Sequence, residues 1–64
     1  MLVLMRRPGE EIVCTLPDGT EIVVVLLNLD RNRARLGIIA PREVIVDRRE
    51  IHERKLAGEA PAHA

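Results

Sequence analysis

Residues 22 to 27 read Ile-Val-Val-Val-Leu-Leu, an unbroken and largely β-branched apolar run in a chain of only 64 residues. A strand with one face in water alternates apolar and polar residues; a run like this one suits a central strand covered on both faces. So short a chain has little with which to cover it, because a single small core barely offsets the ~1.5 kcal/mol per residue lost on ordering. The lone Cys14 allows no internal disulfide, and with no Phe, Tyr or Trp the core must be filled by Val, Ile, Leu, Met and Ala. The missing cover is therefore expected from a second copy of the chain.

Turn residues punctuate the sequence on both sides of that run. Residues 1 to 7, Met-Leu-Val-Leu-Met-Arg-Arg, are followed by Pro8-Gly9, so a first strand is expected to end near Arg7. Next, Ile12, Cys14 and Leu16 alternate with Val13 and Thr15, the period of a half-buried second strand. Pro17-Asp18-Gly19-Thr20 combines a residue pre-set for a turn with one free to take positive φ, which predicts a hairpin into a third strand from about Glu21 to Leu29. Asp30-Arg31-Asn32 predicts a second hairpin, after which Arg33 and Arg35 point outward and Ala34, Leu36 and Ile38 inward on a fourth strand.

Pro41 has no N–H to give to a ladder, so the fourth strand is expected to stop near Ala40. Val44 to Val46 then become a short fifth strand at an edge or across a subunit boundary. Asp47 and Glu50 have the spacing of a capping box for a helix beginning at Arg48, with Lys55 complementing its C-terminal dipole and Gly58 stopping it. Residues 58 to 64 are expected to be a flexible tail. The expected architecture is mainly β: five short strands per subunit plus a C-terminal α-helix, in a homodimer.

Catalysis finds few parts here. The chain has no serine or tyrosine, its one thiol falls inside a strand pattern as a small core residue, and its two histidines, His52 and His63, are far apart. No metal-ligand spacing and no phosphate-cradling glycine loop is present, so a non-enzyme without metal or cofactor is expected. No secretory signal is visible, and the run from Ile22 to Leu27 is far too short to span a membrane, which points to a cytoplasmic protein.

Ten basic and ten acidic residues cancel, so no global charge attracts nucleic acid. Nine of the ten cations are nevertheless arginine, a bias that either suits planar, multidentate hydrogen bonding or reflects compositional drift in a GC-rich genome. Several stand at strand ends: Arg6 and Arg7 close the first, Arg42 follows the proline, and Arg48 and Arg49 follow the fifth. They are either solvated charges that protect sheet edges or contacts for a polyanion. Without aromatic platforms, bases would have to be gripped by exposed strand backbone, apolar contacts and arginine hydrogen bonds, which suits a loop with splayed-out bases.

Three stretches carry a resemblance to a known family. "MLVLMRRPGE" at the N-terminus, "RLGIIAPREV" in the middle and "VDRREI" entering the helix are similar to the carbon storage regulator family, CsrA or RsmA, from Met1 to about Leu56. The resemblance implies an intertwined homodimer of five-stranded subunits whose first and last strands pair across the subunit boundary. It implies an RNA-binding translational regulator that recognises GGA motifs in mRNA leaders, often over the ribosome-binding site, controls translation and mRNA stability, and is sequestered by small decoy RNAs. Residues 1 to 57 would form that RNA-binding domain.

Carried over by position, the family's RNA-binding surface falls on Leu4, Arg6 and Arg7, on Arg35, and on Ala40, Pro41, Arg42, Val46 and Arg48. The connection Leu16-Pro17-Asp18-Gly19-Thr20 is longer than the family's usual one, and Asn28 and Arg31 stand where its glycines are usual. An alternative from a different class is a protein-interaction module whose main partner is an antagonist like the flagellar assembly factor FliW.

Overall fold

The computed structural model describes residues 1–58. Three strands, β1 (Glu11–Thr15), β2 (Glu21–Asp30) and β3 (Arg33–Ile39), form an antiparallel sheet in the order β1-β2-β3, and a helix, α1 (Arg49–Leu56), follows. These are the second, third and fourth of the expected strands, and the long apolar run is central as expected.

The turns follow from their residues. At Arg7-Pro8-Gly9-Glu10 the Arg7 carbonyl accepts from Glu10 N–H at 3.0 Å, with Pro8 in the position that fixes φ and Gly9 at φ +88°, a type II turn. The turn is fastened to the sheet, since Gly9 N–H donates to Leu26 O at 2.6 Å and Leu26 N–H to Glu10 O at 3.2 Å. At the first hairpin Leu16 O accepts from Gly19 N–H at 2.9 Å and Leu16 N–H donates to Thr20 O at 2.8 Å, closing a three-residue loop with Gly19 at φ +91°. Asp18 Oδ1 braces it by accepting from Thr20 N–H at 2.9 Å, and that hydrogen bond holds its carboxyl below the ordinary carboxylate value.

The second hairpin turns at Arg31-Asn32, with Arg31 forced to φ +56°. Pairing also shifts between Leu26 and Asn28, a β-bulge at Leu27 that alternation alone does not foretell. Its effect is chemical. Without it, Asn28 and Asp30 would share a face with Val24 and Leu26; with it, Leu29 takes that face opposite Ala34, and Asn28 and Asp30 turn away.

One face of the sheet is consequently all apolar: Ile12, Val24 and Ile38 lie in one row, flanked by Cys14–Ile22, Leu26–Leu36 and Leu29–Ala34. Nothing in the described chain covers it. Residues 22 to 26 are half-buried, Leu29 and Leu36 are 61% and 56% exposed, and no described residue is fully buried. The expected cover on both faces of β2 is thus absent among the described residues, and Cys14, expected in the core, is exposed. The other face is apolar only in its middle, where Gly37 lets Val25 and Leu27 lie over β3.

Five strands were expected and the described residues hold three. Residues 1 to 7 and Val44 to Val46 have strand-like composition, but a strand exists only where a ladder partner does, and neither segment finds one among the described residues. Met1 to Met5, all apolar, are all exposed.

The capping box does not form either. Arg48 is the residue before the helix, in extended conformation and without a side-chain cap, so α1 starts one residue later than expected. Asp47 instead pairs with Lys55 Nζ at 2.9 Å, and Glu50 with Arg48 Nε at 3.1 Å. The helix ends at Gly58, φ +84°, whose N–H donates to Lys55 O at 3.1 Å, the αL stop expected there. α1 packs on none of the three strands. The rest of the expected flexible tail, residues 59 to 64, lies outside the described residues.

Candidate nucleic-acid interface

All the candidate residues except Arg35 lie in the two segments that have no ladder partner, and these segments leave opposite edges of the sheet. The N-terminal segment joins β1 through Glu10, which pairs with Leu26; the segment after Ile39 departs opposite Val23, three residues further along β2, roughly 10 Å away, with two strand spacings of about 4.8 Å across. Among the described residues no hydrogen bond or ion pair joins residues 1 to 7 to residues 40 to 48. One subunit therefore presents two half-surfaces.

On the first half-surface Leu4 is 52% exposed. The Arg6 guanidinium is engaged three times: Nε donates to Met5 O and Nη1 to Glu11 O, both at 3.2 Å, and Nη2 lies 3.0 Å from Glu10 Oε1. Arg7 is exposed, and among the described residues its side chain has no ion-pair partner.

On the second half-surface Ala40 and Pro41 are half-buried and Arg42 is exposed. The backbone here is only partly free, because Pro41 O accepts from Val44 N–H at 3.0 Å in a turn; the Arg42 peptide makes no hydrogen bond among the described residues. Val46 is 51% exposed. Arg48 reaches only Glu50, both side chains open to water at 74% and 56%, a pairing worth under ~1 kcal/mol that a phosphate can displace.

Arg35 is set apart. It lies opposite Asn28 on the polar part of the sheet, five residues and roughly 17 Å along the strand from Ala40, beside the Asp30–Arg33 pair that spans the second hairpin at 3.8 Å. Sequence reasoning missed Glu10, whose carboxylate organises the whole N-terminal turn; its place three residues after Arg7 across a Pro-Gly pair was the available signal.

The family model for CsrA, a global regulator protein family, matches residues 1–57, a stretch that holds both arginine-bearing segments, the turn at Pro8-Gly9 and the break at Pro41. The chain belongs to the CsrA family. Similar curated proteins include the translational regulators CsrA of Thermotoga petrophila (strain ATCC BAA-488 / DSM 13995 / JCM 10881 / RKU-1) and of Thermotoga sp. (strain RQ2), each 45% identical over 53 residues, which is 83% of this chain and 59% of the relative. This CsrA-family chain thus spans about three-fifths of the length of those relatives. No solved structure gives a significant match.

Among the described residues, no group of three or more His, Cys, Asp and Glu could hold a metal ion, and no helix is long and apolar enough to cross a membrane. What the CsrA-family chain does offer is exposed guanidinium groups, exposed apolar side chains and unpaired strand-like backbone.

Proposed function

We propose that the chain is a dimeric, cytoplasmic RNA-binding regulator of translation that acts by binding rather than catalysis. It recognises GGA motifs in mRNA leaders, often over the ribosome-binding site, and controls translation and mRNA stability. Small RNAs with repeated GGA motifs would compete for the same surface. Family membership and the relatives' name, translational regulator, support the activity.

The observation that carries the reading is the placement of the two partnerless segments on opposite edges of a sheet with an uncovered apolar face. A second subunit can pair its residues 1 to 7 with residues 44 to 46 of the first, which completes five strands, covers apolar surface and brings Leu4, Arg6 and Arg7 of one chain beside Val46 and Arg48 of the other. Arg7, Arg42 and Arg48 then supply phosphate and base-edge contacts, while Leu4 and Val46 give apolar contact to splayed bases.

A gel-shift titration of a GGA-loop RNA hairpin against its CCA variant tests this. Selective binding that weakens as salt rises and is lost in Arg48→Ala is expected; a folded dimer that does not distinguish the two loops would refute it. The protein-partner reading has one observation in its favour, namely that α1 stands free of the sheet. Deleting residues beyond Arg54 would abolish such a contact and leave RNA binding intact.

A further inference from the structure

We infer that Arg6 and Glu10 form an internal clamp that positions Leu4 and Arg7 for RNA, and that Arg6 itself does not contact phosphate. The inference rests on the RNA-binding reading above and reassigns one of its residues. Three of the five N–H bonds of the Arg6 guanidinium are already aimed within the chain, at Met5 O, Glu11 O and the Glu10 carboxylate. A side chain so engaged has little of its donor fork left for a ligand.

Glu10 completes the arrangement from the other side. The same Oε1 that faces Arg6 Nη2 at 3.0 Å accepts from Arg7 N–H at 2.7 Å, while Glu10 N–H donates to Arg7 O at 3.0 Å. Arg7 is thereby held through both its backbone donor and its acceptor. Because Gly9 and Glu10 are bonded to Leu26, the direction in which residues 1 to 7 leave the sheet is referred to the central strand. Leu4 and Arg7 inherit that direction, so Glu10 and Arg6 are positioning residues.

The two possible roles of Arg6 differ in sign. If Arg6 bound phosphate, the Glu10 carboxylate would compete for it, and removing that carboxylate would tighten RNA binding. If Arg6 is a clamp, removing the Glu10 side-chain acceptor altogether releases the segment and weakens binding, yet no phosphate contact is lost and the salt dependence stays the same. Replacing Arg6 by lysine also discriminates, because lysine keeps the charge but lacks the planar fork that reaches three acceptors.

The experiment is a GGA-hairpin titration at several salt concentrations with the full-length wild type, Glu10→Ala, Glu10→Gln, Arg6→Lys and Arg7→Ala, together with amide exchange of the Arg7 N–H. The clamp predicts that Glu10→Ala and Arg6→Lys weaken binding by about three- to tenfold with an unchanged slope of log affinity against log salt. Arg7→Ala flattens that slope by about 0.7. Glu10→Gln, which keeps the acceptor for Arg7 N–H, is expected to fold and to retain most affinity, so it and Arg6→Lys decide the matter should Glu10→Ala not fold. Tighter binding by Glu10→Ala or Glu10→Gln, or wild-type binding by Arg6→Lys, overturns the clamp.

Exchange of the Arg7 amide reads the clamp without RNA. Protection in the wild type that is lost in Glu10→Ala supports it even if the wild type binds no GGA hairpin, which would defeat the RNA reading alone; an unprotected Arg7 amide in the wild type overturns it.

Discussion

Lys55 Nζ lies 2.9 Å from Asp47 Oδ2, joining the last turn of α1 to the segment that precedes the helix. The Asp47 side chain is only 16% exposed, so this pair is better shielded than the other three ion pairs described. It takes the place of a helix cap and fixes the helix relative to Ile45–Asp47. Lys55 is 41% exposed, which keeps the worth of the pair to roughly 0.5–1 kcal/mol. Asp47→Asn and Lys55→Met are each expected to lower stability by that amount, with the double variant costing no more than either single one. A double-mutant cycle from urea denaturation checks the coupling; additive losses would show that the pair contributes nothing.

Gly37 has no room for a side chain. A Cβ built there meets Val25 Cγ1 at 2.9 Å and Leu27 Cδ1 at 3.5 Å, and valine, stiff about χ1, cannot swing its methyl aside at low cost. Gly37→Ala is expected to destabilise by about 1–2 kcal/mol, a Tm drop of roughly 4–8 °C per kcal/mol for a domain of this size. Val25→Ala added to it should recover part of the loss in the same thermal melt.

Arg31 is the one described non-glycine residue with positive φ, at +56°. Glycine reaches that region without the Cβ clash, although it loses more conformational freedom on folding. The balance favours Arg31→Gly by up to about 0.5–1 kcal/mol, measured as a higher urea midpoint with an unchanged slope. RNA affinity should not move.

Asp18 gives the hairpin a pH dependence of known sign. Its folded-state carboxyl is held below the ordinary value by the hydrogen bond from Thr20 N–H, so its contribution is present above the unfolded value and is lost as pH falls through the lowered one. Denaturation between neutral pH and pH ~3 should show wild type and Asp18→Asn converging as the solution is acidified. A gap that stays constant across that range would remove Asp18 as the titrating group.

The three strands, both hairpins and the helix were legible because each announces itself locally, through alternation in Ile12–Leu16 and Arg33–Ile38, the apolar run of residues 22 to 27, the Asp18-Gly19 and Asp30-Arg31-Asn32 turns and the stop at Gly58. What escaped was set at a distance. The capping spacing of Asp47 and Glu50 was real, but Asp47 was claimed by a cation eight residues on and Glu50 by the arginine two residues before it. The bulge at Leu27 follows from which residues must share a face across two strands. Residues 1 to 7 and 44 to 46 were read as strands from composition, yet pairing depends on a partner, and among the described residues there is none. Of the candidate site, the arginine positions could be read, whereas the engagement of Arg6 and the separation of Arg35 from Ala40 depend on geometry.

The central claim, that each RNA site is built from residues 1 to 7 of one subunit and residues 40 to 48 of the other, is tested most directly by mixing subunits. Leu4→Ala and Arg48→Ala chains are refolded together, the heterodimer is isolated by differential tags, and its binding to a GGA hairpin is titrated by fluorescence anisotropy. A cross-subunit site predicts one wild-type site, with wild-type affinity and one RNA per heterodimer, although both parent homodimers bind poorly. A heterodimer that binds no better than its parents would contradict the account.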